Sequence, residues 1–373
     1  MDGSTLTIVW YMSTIIIGVL FAFMSYKKRN KEVYYIDKKV MYISFIILWQ
    51  LLAFAKCGTD NKSYKILFDN AKDLQFTLGY HQIELGFGLF NYLFRCITDN
   101  YYVYNATLAF IFLLLIYVTL YRLKDQVHFG WGILAVCSMF YLQFMNLKRI
   151  YLAAAIIFFA IPYLSKKKWG KYIACVIVAS LIHTSAIIMV IPFGIQFVLK
   201  NRIKRYQMIV LFGLAFLGIY LFRNQLFSWK VSSRYTAYGV QEAQMGIAQF
   251  VYHFPIIWVL KNRSSKTRAE LNIEQSCFTL ALCSFVLSSM GYFVEMIGRA
   301  SIYFVFAFAA IPKEVQFNWK NISSRISFGR QANKILMILL WGGYYALRLI
   351  VYCRSSLFSD GIMPYINIWG ITF

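Results

Sequence analysis

The chain has 373 residues, 60% hydrophobic and 19% aromatic, with 38 Lys and Arg against 15 Asp and Glu and a formal charge of +23. An ordinary soluble core does not conceal that much apolar surface, whereas lipid absorbs it, so a soluble globular enzyme is excluded and a multispanning membrane protein is implied. The positive charge sits in short clusters between apolar runs, a pattern of membrane topology and not of a nucleic-acid surface.

Apolar runs predict helices near 5–25, 40–55, 102–121, 129–145, 150–165, 172–183, 185–199, 207–225, 247–260, 276–292, 295–312 and 333–352. The expectation is an all-α polytopic fold of about 12 transmembrane or re-entrant helices, forming one membrane domain over residues 1–373. The first run, Leu6 to Met24, has no basic residue ahead of it and is followed by Lys27-Lys28-Arg29. It reads as an uncleaved anchor with the N-terminus outside.

Under that orientation residues 57–100 form an extracytoplasmic loop carrying Cys57-Gly58-Thr59-Asp60, Tyr64 and Glu84. Glu84 to Ile97 alternates apolar and polar at near-helical spacing, which predicts an interfacial helix. Asp60, two residues after a glycine, fits a turn as well as a site. Cys57 and Cys96 flank the loop and could bridge, and none of the seven cysteines forms a C-x-x-C pair.

Asn146-Leu147-Lys148-Arg149 makes a short outer turn whose two cations oppose the positive-inside trend. Snorkelling to lipid headgroups accounts for Lys148, while Arg149, just ahead of an apolar run, suits an anion. His183-Thr184-Ser185 lies where 172–199 must turn, and an ionisable residue there is a functional candidate. Reading 172–199 as two short helices keeps Lys200, Arg202, Lys204, Arg205 and the basic loops 261–272 and 313–334 on the inner face, and a single crossing would reverse them all. Ser232-Ser233-Arg234-Tyr235 opens the next outer loop. Glu295 and Arg299, spaced i to i+4, share a helix face where they pair with each other or serve a ligand.

Asp60, Glu84, Arg149, His183, Arg234, Glu295 and Arg299 therefore fall on one side of the membrane. Arginine grips phosphate with a planar fork of donors, and a carboxylate takes a proton from an attacking hydroxyl. No D-x-D, Walker loop or H-E-x-x-H occurs, so nothing in the motifs calls for a metal or ATP.

In chain order, Gly58-x-Asp60 with Tyr64, Glu84 with Gly86, Asn146-x-x-Arg149, His183-x-Ser185, Arg234-Tyr235, Arg299 and Pro364-Tyr365 resemble the EpsG family of Wzy-like polysaccharide polymerases, over nearly the whole chain. The chain departs from the family pattern at Ile150, where a Gln commonly follows the arginine, and in lacking an arginine just before Asp60. The resemblance implies a metal-independent, cofactor-free glycosyltransferase of GT-C-like architecture in a bacterial plasma membrane. It would join oligosaccharide repeat units carried on undecaprenyl diphosphate into exopolysaccharide, capsule or O-antigen at the outer face. A flippase and a chain-length regulator would be its pathway partners. By the same resemblance Arg149, Arg234 and Arg299 would hold the diphosphate, Asp60 or Glu84, with His183, would act as base, and Tyr64, Asn146, Tyr235 and Glu295 would support them. A flippase for the same lipid-linked oligosaccharide also needs arginines and a carboxylate, but it favours midplane sites and inverted repeats, which the chain does not display. A membrane acyltransferase using His183 lacks a second His beside an Asn. A structural assembly partner leaves the one-sided polar set unexplained.

Overall fold

The computed structural model describes residues 3–29, 34–79, 83–199, 205–222, 225, 251–262, 268–292, 295–317 and 330–373. Helix α1 (Gly3–Ser25) runs from one end of the bundle to the other, the strands Tyr26–Lys28 and Tyr34–Ile36 pair antiparallel, and α2 (Lys38–Ala53) returns beside α1. Asp37 starts α2 by accepting from the Val40 amide and pairs with Lys27 at 2.9 Å. In lipid, backbone groups freed at a helix end need protein partners. Helix α2 finds them in α6 (Tyr101–Arg122), where the Asn105 amide donates to the carbonyls of Leu52 and Ala53 at 3.3 and 3.1 Å; the Trp49 indole of α2 in turn donates to the Ala106 carbonyl of α6 at 2.8 Å.

Between α2 and α6 lie α3 (Asn61–Asn70), α4 (Leu74–Gly79) and α5 (Leu85–Ile97). Helix α5 buries Phe87, Gly88 and Asn91 and exposes Leu85, Leu89, Leu93 and Ile97, an apolar stripe at four-residue spacing. After α7 (Phe129–Met139), the central helix α8 (Lys148–Ser165) carries fully buried alanines at 153, 154, 155 and 160, which let its neighbours approach closely. Helix α9 (Trp169–Ile182) stops at His183, whose backbone is extended, and a 3-10 turn (Thr184–Met189) leads into α10 (Val190–Leu199). Trp169, at the start of α9, meets Phe193 and Phe197 of α10 at ring separations of 5.4 and 6.0 Å, and the Tyr172 hydroxyl donates to the Met189 carbonyl at 2.8 Å. The chain thus reverses at His183, and 172–199 is a helical pair.

Then follow α11 (Arg205–Leu221), α12 (Phe254–Lys261), α13 (Arg268–Met290), α14 (Glu295–Ala300), α15 (Ile302–Val305), α16 (Lys313–Gln316), α17 (Arg330–Ser355) and an irregular tail to Phe373. Among the described residues, five helices are long and apolar enough to cross a bilayer: Thr5–Ser25, Tyr101–Arg122, Lys148–Ser165, Asn272–Met290 and Gln331–Ser355. The fold is a polytopic helical one. Other expected spans are shorter or broken. The 129–145 run leaves the α-helix at Phe140, continues as a 3-10 turn over Leu142–Met145, and commits the Tyr141 hydroxyl to the Leu48 carbonyl. The 295–312 run divides into α14, α15 and the 3-10 turn Phe306–Ala310, because its aromatic side chains wedge between helices: Phe306 lies 4.0 Å from Phe140 and 5.2 Å from Phe158, centre to centre. The portion of the 247–260 run before residue 251 lies outside the described residues. All seven cysteines are free, with Cys57 buried and Cys96 exposed, so these two do not bridge.

The connecting segments sort to two ends. At one, the Lys313 amide donates to the Gln126 carbonyl at 2.8 Å, its ammonium sits 3.5 Å over the Tyr34 ring, and the Tyr26 hydroxyl donates to the Lys124 carbonyl at 2.7 Å. These join segments that the charge pattern assigns to a common face. At the other end the tail crosses α1 and α2. The Tyr11 hydroxyl donates to the Ile362 carbonyl at 2.5 Å, the Tyr365 amide to the Thr7 hydroxyl at 3.1 Å, and the Lys56 amide to the Ile366 carbonyl at 2.8 Å. Most of the expected site residues lie at this second end.

Candidate functional site

The site begins with a glycine. Gly58 has φ +111°, and a Cβ there would stand 2.7 Å from the Met145 carbonyl oxygen, so only glycine lets the chain pass. Its amide donates to the Gly361 carbonyl at 2.8 Å and the next amide, Thr59, to the Asp360 carbonyl at 3.0 Å. Asn146 completes the joint. Its Oδ1 accepts from the Thr59 hydroxyl at 2.6 Å and the Asp60 amide at 3.0 Å, and its Nδ2 faces Asp360 Oδ1 at 3.5 Å. One side-chain amide therefore ties the 57–60 loop, the 146–149 turn and the tail together.

Asp60 occupies the N-cap position of α3, as a turn reading expects, but its carboxylate caps no amide. Burial raises its pKa above the ordinary aspartate value, and Asp360 adds to this, while Arg149, Arg299 and Lys148 pull the other way.

Glu84 is brought in by a second glycine. A Cβ on Gly86 would fall 2.7 Å from Leu181 Cβ and 2.8 Å from the Leu181 carbonyl oxygen, so the first turn of α5 touches the end of α9 directly. Glu84 Oε1 then lies 2.9 Å from His183 Nδ1 and 3.3 Å from the Thr184 amide, and Oε2 lies 2.8 Å from Arg149 Nη1. Burial works against the carboxylate charge, but the His183 hydrogen bond and the charges of Arg149 and His183 outweigh it and bring the carboxyl down to about 2. With both oxygens engaged, Glu84 is built to hold its partners. Arg149 is also fixed through its amide, which donates to the Tyr64 hydroxyl at 3.3 Å, and its guanidinium rests 5.7 Å from the Phe87 ring centre. The Ser185 hydroxyl lies 2.9 Å from that of Tyr303.

Lys148 does not snorkel. It is 3% exposed, donates to Asn61 Oδ1 at 2.5 Å and to the Tyr101 hydroxyl at 3.4 Å, and sits between the rings of Tyr64 and Tyr101 at 5.2 and 5.8 Å. At the first turn of α8, neighbouring residues point about 100° apart, which sends Lys148 under α3 and α6 and Arg149 toward α5.

Arg299, on α14, is exposed and borders a cleft of about 500 Å³ with Gln143, Tyr151, Tyr252, Ser288 and Asp360. Glu295 opens α14, and its side chain lies outside the described set, so its pairing with Arg299 has no structural description. Arg234 and Tyr235 lie outside the described residues. The site thus unites Asp60, Tyr64, Glu84, Asn146, Arg149 and His183, with Arg299 at the adjoining cleft.

Sequence reasoning missed two features of the site. One is Lys148, a buried anchor that it took for a snorkelling cation. The other is Asp360, whose Oδ2 accepts from the Tyr352 hydroxyl at 2.5 Å. The only signals for Asp360 are its place on the side that the charge pattern predicts to be outer and its Asp-Gly turn ahead of Pro364-Tyr365.

The model of the EpsG family matches residues 38–367, a range that takes in every site residue from Asp60 to Asp360. No curated protein and no solved structure matches the chain. An apolar helical bundle with this ordered set of residues at one end, matched over most of its length, belongs to the EpsG family and is a polysaccharide-polymerase-like membrane protein.

Proposed function

We propose that the protein is a membrane glycosyltransferase that joins oligosaccharide repeat units carried on undecaprenyl diphosphate at the outer face of a bacterial plasma membrane, making an exopolysaccharide, capsule or O-antigen. One observation carries the reading. A half-buried carboxylate that caps nothing, Asp60, stands in the field of Arg149 and Arg299 while Arg149 is held by Glu84. In the reaction, a hydroxyl oxygen of the acceptor sugar attacks the anomeric carbon of the growing chain. The bond from that carbon to the lipid diphosphate breaks, and the diphosphate leaves with the electron pair. Asp60 takes the hydroxyl proton, and its raised pKa makes it a stronger base than a free aspartate. Arg149 and Arg299, joined by Arg234, stabilise the charge gathering on the leaving diphosphate. Glu84, at about 2, stays ionised and orients Arg149 and His183.

About a dozen spanning or re-entrant helices in a GT-C-like arrangement, with the N-terminus outside, form the scaffold. The exposed Leu85, Leu89, Leu93 and Ile97 stripe supports placing α5 in the outer interface, next to the lipid carrier. A flippase supplies the substrate and a chain-length regulator limits the product. Asp60→Asn or Arg149→Ala, expressed in cells lacking the native protein, should abolish polymer while single repeat units accumulate on lipid. Full-length polymer from either variant overturns the assignment.

A further inference from the structure

The cleft bordered by Arg299 has walls that, beyond that arginine, diphosphate binding does not use. Its described lining combines the rings of Tyr151 and Tyr252 with the polar groups of Gln143, Ser288 and Asp360, and Arg299 is the cation on its border. Its two rings, amide, hydroxyl and carboxylate are each held by a neighbour. The Tyr151 hydroxyl donates to Gln143 Oε1, the Tyr352 hydroxyl donates to Asp360, and the Ser288 hydroxyl lies 2.9 Å from His253 Nε2. The Arg348 guanidinium stacks 4.0 Å over the Tyr252 ring. A volume of about 500 Å³ falls within the range of small-molecule sites.

The Asp360 carboxylate in its wall opposes a phosphate beside it, so the diphosphate proposed above would meet the cleft only at Arg299, on its border. Aromatic faces combined with hydroxyls, an amide and one carboxylate instead match a neutral polyhydroxylated ring. The C–H face of a sugar lies on an aromatic ring, and its hydroxyls donate to a carboxylate and exchange hydrogen bonds with an amide. Asn146 connects this cleft to the proposed base, with Oδ1 turned to the Asp60 amide and Nδ2 to Asp360.

We propose that this cleft is a sugar subsite, which seats a saccharide ring of the repeat unit against the half-buried Tyr252 ring with Asp360 accepting its hydroxyl hydrogen bonds, one side chain away from Asp60. The proposal rests on the transferase reading of the same end of the bundle, and its test separates the two. Purified full-length protein in nanodiscs is titrated with methyl glycosides of hexoses, N-acetylhexosamines and 6-deoxyhexoses by saturation-transfer NMR, and separately with farnesyl diphosphate by calorimetry. At least one glycoside should bind. Asp360→Asn should weaken it by about tenfold or more, since a charge-assisted acceptor is lost, and should leave farnesyl diphosphate affinity within about twofold. Tyr252→Ala, remote from the Asn146 joint, should weaken the same glycoside and also spare the diphosphate, which certifies a folded site. Arg149→Ala should do the reverse. Binding of farnesyl diphosphate with no glycoside bound, unchanged glycoside affinity in both cleft variants, or tighter diphosphate binding in Asp360→Asn would each overturn the subsite. Glycoside binding that depends on Asp360 with no diphosphate binding at all would leave the subsite standing and overturn the transferase reading.

Discussion

Replacing Glu84 with Gln tests whether one carboxylate organises the site. Glu84 reaches Arg149 at 2.8 Å and His183 at 2.9 Å, and its side chain is only 15% exposed. Holding the carboxyl at about 2 against an ordinary 4.5 corresponds, at about 1.4 kcal/mol per pKa unit, to about 3 kcal/mol of stability. Because the folded value is the lower one, that stability is present in full above pH 4.5 and is lost as the pH falls toward about 2. Set against an unfolding entropy of roughly 2 cal/mol/K per residue, it lowers Tm by about 4 °C in the variant at neutral pH. Thermal unfolding followed by intrinsic fluorescence in nanodiscs, from pH 7 downward, reads this directly. The gap between the two proteins should close across the window from 4.5 to about 2. No gap at pH 7, or a gap that persists unchanged into acid, would refute the claim that an ionised Glu84 holds Arg149 and His183 in place.

Gly58→Ala should cost about 1–3 kcal/mol, seen as a lowered Tm, and should abolish polymer, since the new methyl meets the Met145 carbonyl at a φ of +111°. Asp60 works deprotonated and its pKa is raised, so turnover in vitro should rise with pH through a limb lying above the ordinary aspartate range. Asp60→Asn should lose that limb along with about 10²–10⁴ of the rate. A membrane-impermeant maleimide applied to intact cells should label the exposed Cys96 and spare the buried Cys57, Cys137, Cys277, Cys283 and Cys353. Labelling of Cys96 only after permeabilisation would put this end of the bundle in the cytoplasm and contradict the orientation.

The long helices were readable because crossing lipid demands an unbroken apolar stretch. Helices α1, α6, α8, α13 and α17 fall on the runs expected at 5–25, 102–121, 150–165, 276–292 and 333–352. Where helix length is set by packing against other helices, as in 129–145 and 295–312, the pattern overran, since a buried 3-10 turn has the same composition as a lipid-facing helix. The ionisable members of the site were visible as polar residues interrupting apolar runs, but their partnerships were not. The bond from Glu84 to His183 joins positions 99 residues apart and depends on a glycine that lets two helices touch. The contact of Asn146 with Asp360 spans 214 positions and depends on how the tail folds back across α1 and α2. Lys148 and Arg149 look equivalent as neighbours in the chain. Only the packing of α3, α5 and α6 around α8 shows that the first is an internal anchor and the second faces the site.

The most direct measurement is reaction of the purified protein in nanodiscs with a defined undecaprenyl-diphosphate-linked repeat unit, resolved by product size. The wild-type protein should yield a ladder of linked repeats with release of lipid diphosphate, and Arg149→Ala and Asp60→Asn should yield none. A ladder from either variant, or movement of the intact lipid-linked unit across the bilayer with no new glycosidic bond, would contradict a transferase centred on Asp60 and Arg149.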